Sequence, residues 1–253
     1  MADNSASATD LSLLVRVGNF LFRYRNYAFP ILLIPLVVFF PTQDAEGLAA
    51  PGGILDWLAL FFAMLGEGLR GAVVGLAYIK RGGVDKRVYA ERLVTEGVFT
   101  HCRNPLYVGN FLLLLALLAI VNNVYVYVIG GAFFIFAYIA IVAAEEKYLR
   151  AKFGAEYDDY CRRVNRWIPD FRGLRATLQS MTFNWRRVVI KEYSSVYSWI
   201  VVAFLLEMIK AYRTPGMESA DFIKLGLVFA VITVIFVTIY VLKKSRRLVD
   251  RPV

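Results

Sequence analysis

The sequence is poor in the residues that build metal sites and catalytic triads. Its 253 residues include one histidine, His101, and two cysteines, Cys102 and Cys161. Metal centres built on histidine and cysteine need several such residues at short spacings, and no such spacing is present. A serine–histidine–aspartate triad would depend on His101, which has no nucleophile motif beside it. We therefore expect neither a resident metal nor triad chemistry.

Long apolar runs dominate what is present. Hydrophobic residues make up 58% of the chain, whereas a soluble domain has roughly 45–50%. Runs near about 20 apolar residues predict membrane-spanning helices. We predict an all-α, polytopic membrane bundle of about six transmembrane helices with a cofactor pocket at its cytoplasmic face. The predicted spans are 27–40, 54–79, 106–121, 124–144, 193–208 and 222–242.

The charge pattern predicts the orientation of these spans. The net charge is +9, and the basic residues lie beside the apolar runs, which is typical of cytoplasmic loops and of contact with anionic lipids. The segment with Lys80, Arg81, Lys86 and Arg87 is then inside, and the loop with Asp44 and Glu46 outside. Both termini are expected to be cytoplasmic. Membrane lipids are expected partners, and nucleic acid is not.

The second span carries charges that need an explanation. Glu67 and Arg70 lie within it, and charged groups inside a span usually face a cavity or each other. At a spacing of three residues they can form an ion pair. A purely structural pair and a role at an active site both remain open. Gly71 and Gly75 in the same span favour close helix packing.

A hairpin brings opposite charges to one membrane face. Asn122-Asn123 forms a tight turn between the third and fourth spans, so the end of the fourth span returns to the start of the third. This places Glu145 and Glu146 on the same face as Arg103. Acidic and basic groups at one face are the arrangement that binds a zwitterion next to lipid.

An ordered set of residues runs through the same stretch. It consists of Gly97, Arg103, Pro105, Tyr107 and Gly109, then, after the hairpin, Glu145, Glu146, Phe153, Gly154, Tyr157, Tyr160, Val164 and Pro169. This set resembles the signature of a known family, the integral-membrane methyltransferases of the isoprenylcysteine carboxyl methyltransferase and phospholipid methyltransferase group. Their signature is Gly-x-Tyr-x-x-x-Arg-His-Pro-x-Tyr-x-Gly, a hairpin, Glu-Glu, then Phe-Gly-x-x-Tyr-x-x-Tyr-x-x-x-Val and a proline. Phe99 replaces the tyrosine and Asn104 the histidine. The resemblance covers about residues 54–170, where Gly66-Glu67-Gly68 also resembles the Gly-x-Gly of the phospholipid methyltransferases.

The resemblance implies S-adenosylmethionine as the methyl donor. The residues expected to bind it are Arg103, Asn104, Pro105, Tyr107, Glu145, Glu146, Tyr157, Tyr160, Gly66, Gly68 and His101. Those expected to act at the acceptor are Arg163, Glu67 and Arg70. Plainer roles stay open for some: Tyr157 and Tyr160 as interface aromatics, Arg163 as a headgroup anchor, and His101 as a local structural group.

The acceptor is expected to be lipophilic, and its reacting group is either a carboxylate or an amine, as in an isoprenylcysteine or an aminophospholipid. Alternatives are an NADPH-dependent membrane reductase of the sterol reductase type and a non-catalytic scaffold. The expected division is an N-terminal tip and interfacial helix (1–26), a methyltransferase core (27–170), and a basic surface segment with two extra spans (171–253). The oligomeric state is not predicted.

Overall fold

The computed structural model describes residues 3–43, 51–77 and 88–249, and these contain helices and no strand. The predictions for Asp44, Glu46, Lys80, Arg81, Lys86 and Arg87 lie outside the described residues. The helices of the described part are α1 (Asp3–Phe39), α2 (Ile54–Leu76), α3 (Pro105–Val121), α4 (Gly131–Phe153), α5 (Ala155–Arg163), α6 (Leu174–Gln179), α7 (Trp185–Arg213) and α8 (Ser219–Lys244). A π-helical turn, Val126–Gly130, leads into α4.

The helices confirm a multi-pass membrane bundle, and the predicted count of six spans is approximate. Within the described residues, four helices are long and apolar enough to cross a membrane: α2, α7, α8, and α4 together with its π-helical turn. Helix α1 adds a fifth if its two halves are one broken span. Helix α3 is apolar but has only 17 residues. Its length is therefore about 26 Å, slightly less than the hydrocarbon core of about 30 Å.

Helix α1 is bent at a different place from the one its prolines suggest. Its halves, Ser12–Arg25 and Tyr27–Phe39, meet at an angle of 82°. Pro30 and Pro35, residues of the type that commonly kinks a helix, both lie within the second half. The bend instead falls where the sequence predicts that an interfacial helix gives way to the first span.

The hairpin of α3 and α4 forms as predicted. Asn122 ends α3 in the left-handed conformation, with φ of 42°, which asparagine tolerates better than most residues. Its side chain donates a hydrogen bond to the carbonyl of Gln43, and Asn123 donates to the carbonyl of Pro41. These bonds tie the turn to the end of α1. We call this end of the bundle the far end, and the end that carries Arg103 and Glu146 the motif end.

Helices α2 and α3 cross very closely at two glycines. A Cβ atom on Gly66 would lie 2.9 Å from the carbonyl oxygen of Gly109, and a Cβ on Gly109 would lie 2.6 Å from the Cγ of Arg70. Only residues without a side chain allow the backbones to approach this far. The crossing therefore sets the position of Arg70 against α3.

Helix α7 joins the core of the bundle, although the sequence places it outside the methyltransferase segment. It packs against both α2 and α3. Asn184 caps it by accepting a hydrogen bond from the backbone N–H of Arg187, while the N–H of Asn184 itself donates to the carbonyl of Gly75 at the end of α2. The ring of Phe183 lies against Gly75, where a Cβ would come within 2.2 Å of it. Helix α8 packs mainly on α7 and has no buried residue.

Candidate functional site

A large cavity runs through the bundle from the motif end toward the far end. Its volume is about 1470 Å³. Charged and polar side chains line the motif end: Arg25, Arg103, Asn104, Tyr107, Glu145, Glu146, Tyr157 and Tyr160. Apolar side chains line the part toward the far end: Leu33, Ile34, Val37, Leu113, Leu117, Val202, Leu205 and Ile209. The cavity thus offers a polar region for a headgroup and an apolar region for a hydrocarbon.

The loop that carries the arginine motif is held rigidly at the motif end. Gly97 opens it with φ of 62°, and a Cβ there would lie 2.4 Å from the methyl carbon of Met181. The backbone N–H of Arg103 donates to the carbonyl of Asn165 at 2.9 Å. Pro105 is the first residue of α3, where its missing N–H costs nothing and its fixed φ suits a helix. Together these features fix the direction in which Arg103 leaves the backbone.

Glu146 is engaged by two arginines. Its carboxylate accepts a hydrogen bond from Arg103 at 3.1 Å and two from Arg166 at 2.9 and 2.5 Å, and the residue is only 5% exposed. Both oxygens are therefore occupied. Arg103 also donates to the sulfur of Cys161 at 2.8 Å. The contact between Arg103 and Glu146 confirms that the hairpin returns the glutamates to the face of Arg103.

Glu145 has a different environment. Its carboxylate accepts a hydrogen bond from the hydroxyl of Tyr107 at 2.9 Å and lines the cavity. Arg25 lines the same cavity, and its guanidinium lies over the ring of Phe22. Between the two neighbouring glutamates, Glu145 is the one whose carboxylate can accept a cation from a ligand.

Tyr157 and Tyr160 are fixed parts of the wall. They are 2% and 4% exposed, and the hydroxyl of Tyr160 donates to the carbonyl of Phe99 at 2.8 Å. Burial raises the pKa of both hydroxyls, so both remain protonated at neutral pH. Both residues line the cavity, where aromatic faces can stabilise a cation or stack on a planar ring.

Four predicted site residues lie outside the cavity lining. His101 bonds with both ring nitrogens, to the carbonyl of Asp170 at 2.6 Å and to the hydroxyl of Thr177 at 2.9 Å. Arg163 is exposed on α5 and forms a salt bridge with Asp159. The other two are Gly66, which lies at the crossing of α2 and α3, and Gly68, which is exposed with open space around it.

A second group of polar side chains lies where α2, α3 and α7 meet. Arg70 binds Glu192 of α7 at 2.6 Å and donates to the side-chain oxygen of Asn110. The predicted pair with Glu67 is also present, at a longer distance of 3.9 Å. Glu67, Arg70 and Asn110 all line the cavity. Arg70 therefore connects the predicted core to a helix beyond it.

Sequence reasoning missed two partners of the predicted residues, Arg166 and Glu192. Arg166 follows α5 in a run of several arginines, and nothing in the spacing distinguishes it from Arg162 or Arg163. Glu192 offered a clearer signal, because it directly precedes the predicted fifth span, and a charge there needs a partner. Arg70, a charge inside the second span, is the partner that Glu192 binds.

A protein-family model matches part of the chain. Residues 71–156 match the family model described as phospholipid methyltransferase. The family resemblance is confirmed over this segment. The methyltransferase-like segment includes Arg103, Pro105, Tyr107, Glu145 and Glu146. Glu67 and Arg70 precede it, and Tyr157, Tyr160 and Arg163 follow it.

Two curated relatives share part of the chain. The nickel-cobalt-cadmium resistance protein NccN of Alcaligenes xylosoxydans xylosoxydans is 36% identical over 77 residues, which are 30% of this chain and 36% of NccN. The cobalt-zinc-cadmium resistance protein CzcN of Cupriavidus metallidurans (strain ATCC 43123 / DSM 2839 / NBRC 102507 / CH34) is 35% identical over 77 residues, 30% of this chain and 35% of CzcN. The matched part thus spans about a third of these relatives. No solved structure matches the chain.

Proposed function

We propose that the protein transfers a methyl group from S-adenosylmethionine to the polar head of a lipophilic acceptor at one face of the membrane. The observation that carries this proposal is the environment of Glu145. A carboxylate that lines the cavity, is oriented by Tyr107 and lies inside the phospholipid methyltransferase-like segment is suited to bind the ammonium group of the donor.

The other groups at the motif end suit the rest of the donor. Arg25 and Arg103 line the cavity and present guanidinium groups for its carboxylate. Tyr157 and Tyr160 present aromatic rings for its adenine or its sulfonium. When bound, the donor supplies an electrophilic methyl group. The residues of the chain align the two molecules and exclude water, and the displacement requires no covalent intermediate.

The size of the cavity favours two ligands. Sites for one small molecule usually measure about 300–1,000 Å³, and this cavity measures about 1470 Å³. Its apolar part, between α1, α3 and α7, extends beyond the donor-binding residues. The space therefore accommodates a donor at the motif end together with the tail of an acceptor.

The cavity is compatible with two reacting groups on the acceptor, a carboxylate and an amine. A carboxylate is already deprotonated and needs no base. An amine must lose a proton, for which Glu67 is a carboxylate that lines the cavity and is not assigned to the donor.

The proposal is tested with full-length protein and Glu145→Gln, which keeps the shape of the side chain and removes its charge. The matched control is Glu156→Gln, on an exposed residue of α5. Protein in mixed micelles with a membrane lipid extract receives methyl-labelled S-adenosylmethionine, and label is counted in the organic phase. We expect transfer by the wild type and by Glu156→Gln. We expect Glu145→Gln to bind the donor roughly tenfold to a hundredfold more weakly, since a charge-assisted hydrogen bond is lost.

Two results would contradict the proposal. One is donor binding by Glu145→Gln that equals the wild type. The other is wild-type protein that binds NADPH but neither binds nor uses S-adenosylmethionine, which would favour the reductase alternative.

A further inference from the structure

The apolar part of the cavity is a slot between three helices. Its walls are formed by Ile34 and Val38 of α1, Leu113 and Leu117 of α3, and Val202 and Ile209 of α7. We call these residues the tail slot. Two of these walls, α1 and α7, lie outside the methyltransferase-like segment, which covers residues 71–156.

The lining of α7 changes character along its length. Ser194, Ser195 and Ser198 line the cavity near the second polar group, and only apolar residues line it from Val202 to Ile209. From Ser195 to Ile209 the helix rises by about 21 Å, against a hydrocarbon core of about 30 Å. The slot therefore fits a molecule whose polar part lies toward the motif end and whose hydrocarbon points toward the far end.

Charged side chains of α7 follow its last slot residue, Ile209, at the far end. Lys210 is 3% exposed and forms ion pairs with Asp56 of α2 and with Glu207. The guanidinium of Arg213 reaches the carbonyl oxygens of Val37 and Val38 at 3.4 and 3.5 Å. A hydrocarbon that extended further would have to displace these paired groups, which is costly in an apolar setting.

The slot is open at its side. Ile34, Val38 and Leu205 line it, yet they are 61%, 52% and 53% exposed. They belong to α7, which is long and apolar enough to cross a membrane, and to the second half of the bent helix α1. The slot is therefore accessible from the membrane between α1 and α7.

We infer that the tail slot selects the methyl acceptor by the length of its hydrocarbon tail, which enters between α1 and α7 and ends at Lys210 and Arg213. This inference rests on the proposed function. It assigns the choice of acceptor to α7, a helix beyond the methyltransferase-like segment. The substrate class is lipids whose tail fits the length of α7 from Ser195 to Ile209, which is about 21 Å.

The dependence of binding on tail length follows from the surroundings. A tail that leaves the bilayer for the slot exchanges one apolar environment for another, so its affinity relative to the membrane changes little with each methylene. Once the tail reaches the far end, each further methylene must overpack the slot or displace an ion pair. Binding should therefore be level over short tails and then fall at a defined length.

The test measures binding of lysophosphatidylethanolamines of increasing saturated chain length to full-length protein in nanodiscs, by native mass spectrometry at a fixed mole fraction. Val202→Phe narrows the slot, and Val231→Phe is the matched control, because Val231 lies on α8, is 60% exposed and does not line the cavity. We expect the wild type and Val231→Phe to show the same limiting length, and to bind tails longer than it at least about tenfold more weakly than shorter ones. With Val202→Phe the fall should come at shorter tails.

Leu117→Phe, on the opposite wall, gives a second test if Val202→Phe does not fold. Wild-type binding that shows no break with tail length would overturn the inference, as would an unchanged break in both folded variants. Donor binding and label transfer are measured separately on the same preparations. A length break without methyl transfer would leave the tail slot standing and reject the proposed reaction, and transfer without a break would do the reverse.

Discussion

At the scale of single residues, two adjacent glutamates have separate tasks. Glu146 lies at the meeting point of α4, the arginine motif and the segment after α5, where Arg103 and Arg166 bind its two oxygens. Glu145, one position earlier, faces the cavity and accepts a hydrogen bond from Tyr107. We therefore expect loss of Glu146 to affect folding and loss of Glu145 to affect ligand binding.

Two arginines three residues apart should differ sharply in their effect on stability. Arg166→Ala removes two charge-assisted hydrogen bonds from the buried Glu146, so we expect a loss of about 2 kcal/mol in the free energy of unfolding. Arg163→Ala removes an exposed pair with Asp159, and such pairs contribute little. Thermal unfolding of both variants in one detergent measures the difference, and methyl transfer should survive in Arg163→Ala. Equal unfolding temperatures for the two variants would show that Arg166 is not needed to hold Glu146.

Sequence reasoning reached part of this arrangement. The hairpin and the motif spacing predicted that Arg103 meets the paired glutamates, because an antiparallel pair of spans must return to the same face. They did not predict which glutamate Arg103 binds. Arg166 binds the same glutamate from the loop after α5, where the next residue, Trp167, packs against Phe111.

At the scale of helices, the crossing of α2 and α3 determines where the cavity charges lie. Gly66 and Gly109 let the two backbones touch, and this closeness sets Arg70 beside Asn110 and within reach of Glu192. The crossing thus connects helix packing to the polar lining of the cavity.

Gly109→Ala should disturb this crossing. The added methyl group would lie 2.6 Å from the Cγ of Arg70 and 3.0 Å from the carbonyl of Gly66, so we expect a loss of about 1–3 kcal/mol in the free energy of unfolding. Gly131→Ala is the matched control, because its methyl group would meet nothing within 4 Å, and the change should be neutral or slightly stabilising. Unfolding in one detergent compares the two. If Gly109→Ala were as stable as Gly131→Ala, the close approach would not constrain the helices.

The positions of the helices were more predictable than their ends. Apolar runs locate the part of a helix that lies in lipid, so the start of the fifth span was placed at residue 193. Helix α7 in fact begins at Trp185, because Asn184 supplies a cap well before the apolar run. The contact of α7 with α2 and α3 could not be predicted, since an apolar helix face does not reveal whether lipid or protein covers it.

At the scale of the whole molecule, the charge pattern still predicts that the motif end is cytoplasmic. The test replaces Cys102 and Cys161 by serine and introduces Ile168→Cys at the motif end or Val124→Cys at the far end, at positions that are 75% and 52% exposed. On intact cells, a membrane-impermeant maleimide should label Val124→Cys alone. Ile168→Cys should react only after permeabilisation. The opposite pattern would reverse the orientation of the bundle.

The opening between α1 and α7 has a kinetic consequence. A substrate that arrives through the side of the bundle diffuses in two dimensions, and its effective concentration is its share of the surrounding lipid. The reaction would then be insensitive to the amount of membrane in the sample and sensitive to what that membrane contains. Diluting the acceptor with inert lipid would slow the turnover, whereas diluting the whole suspension with buffer would not.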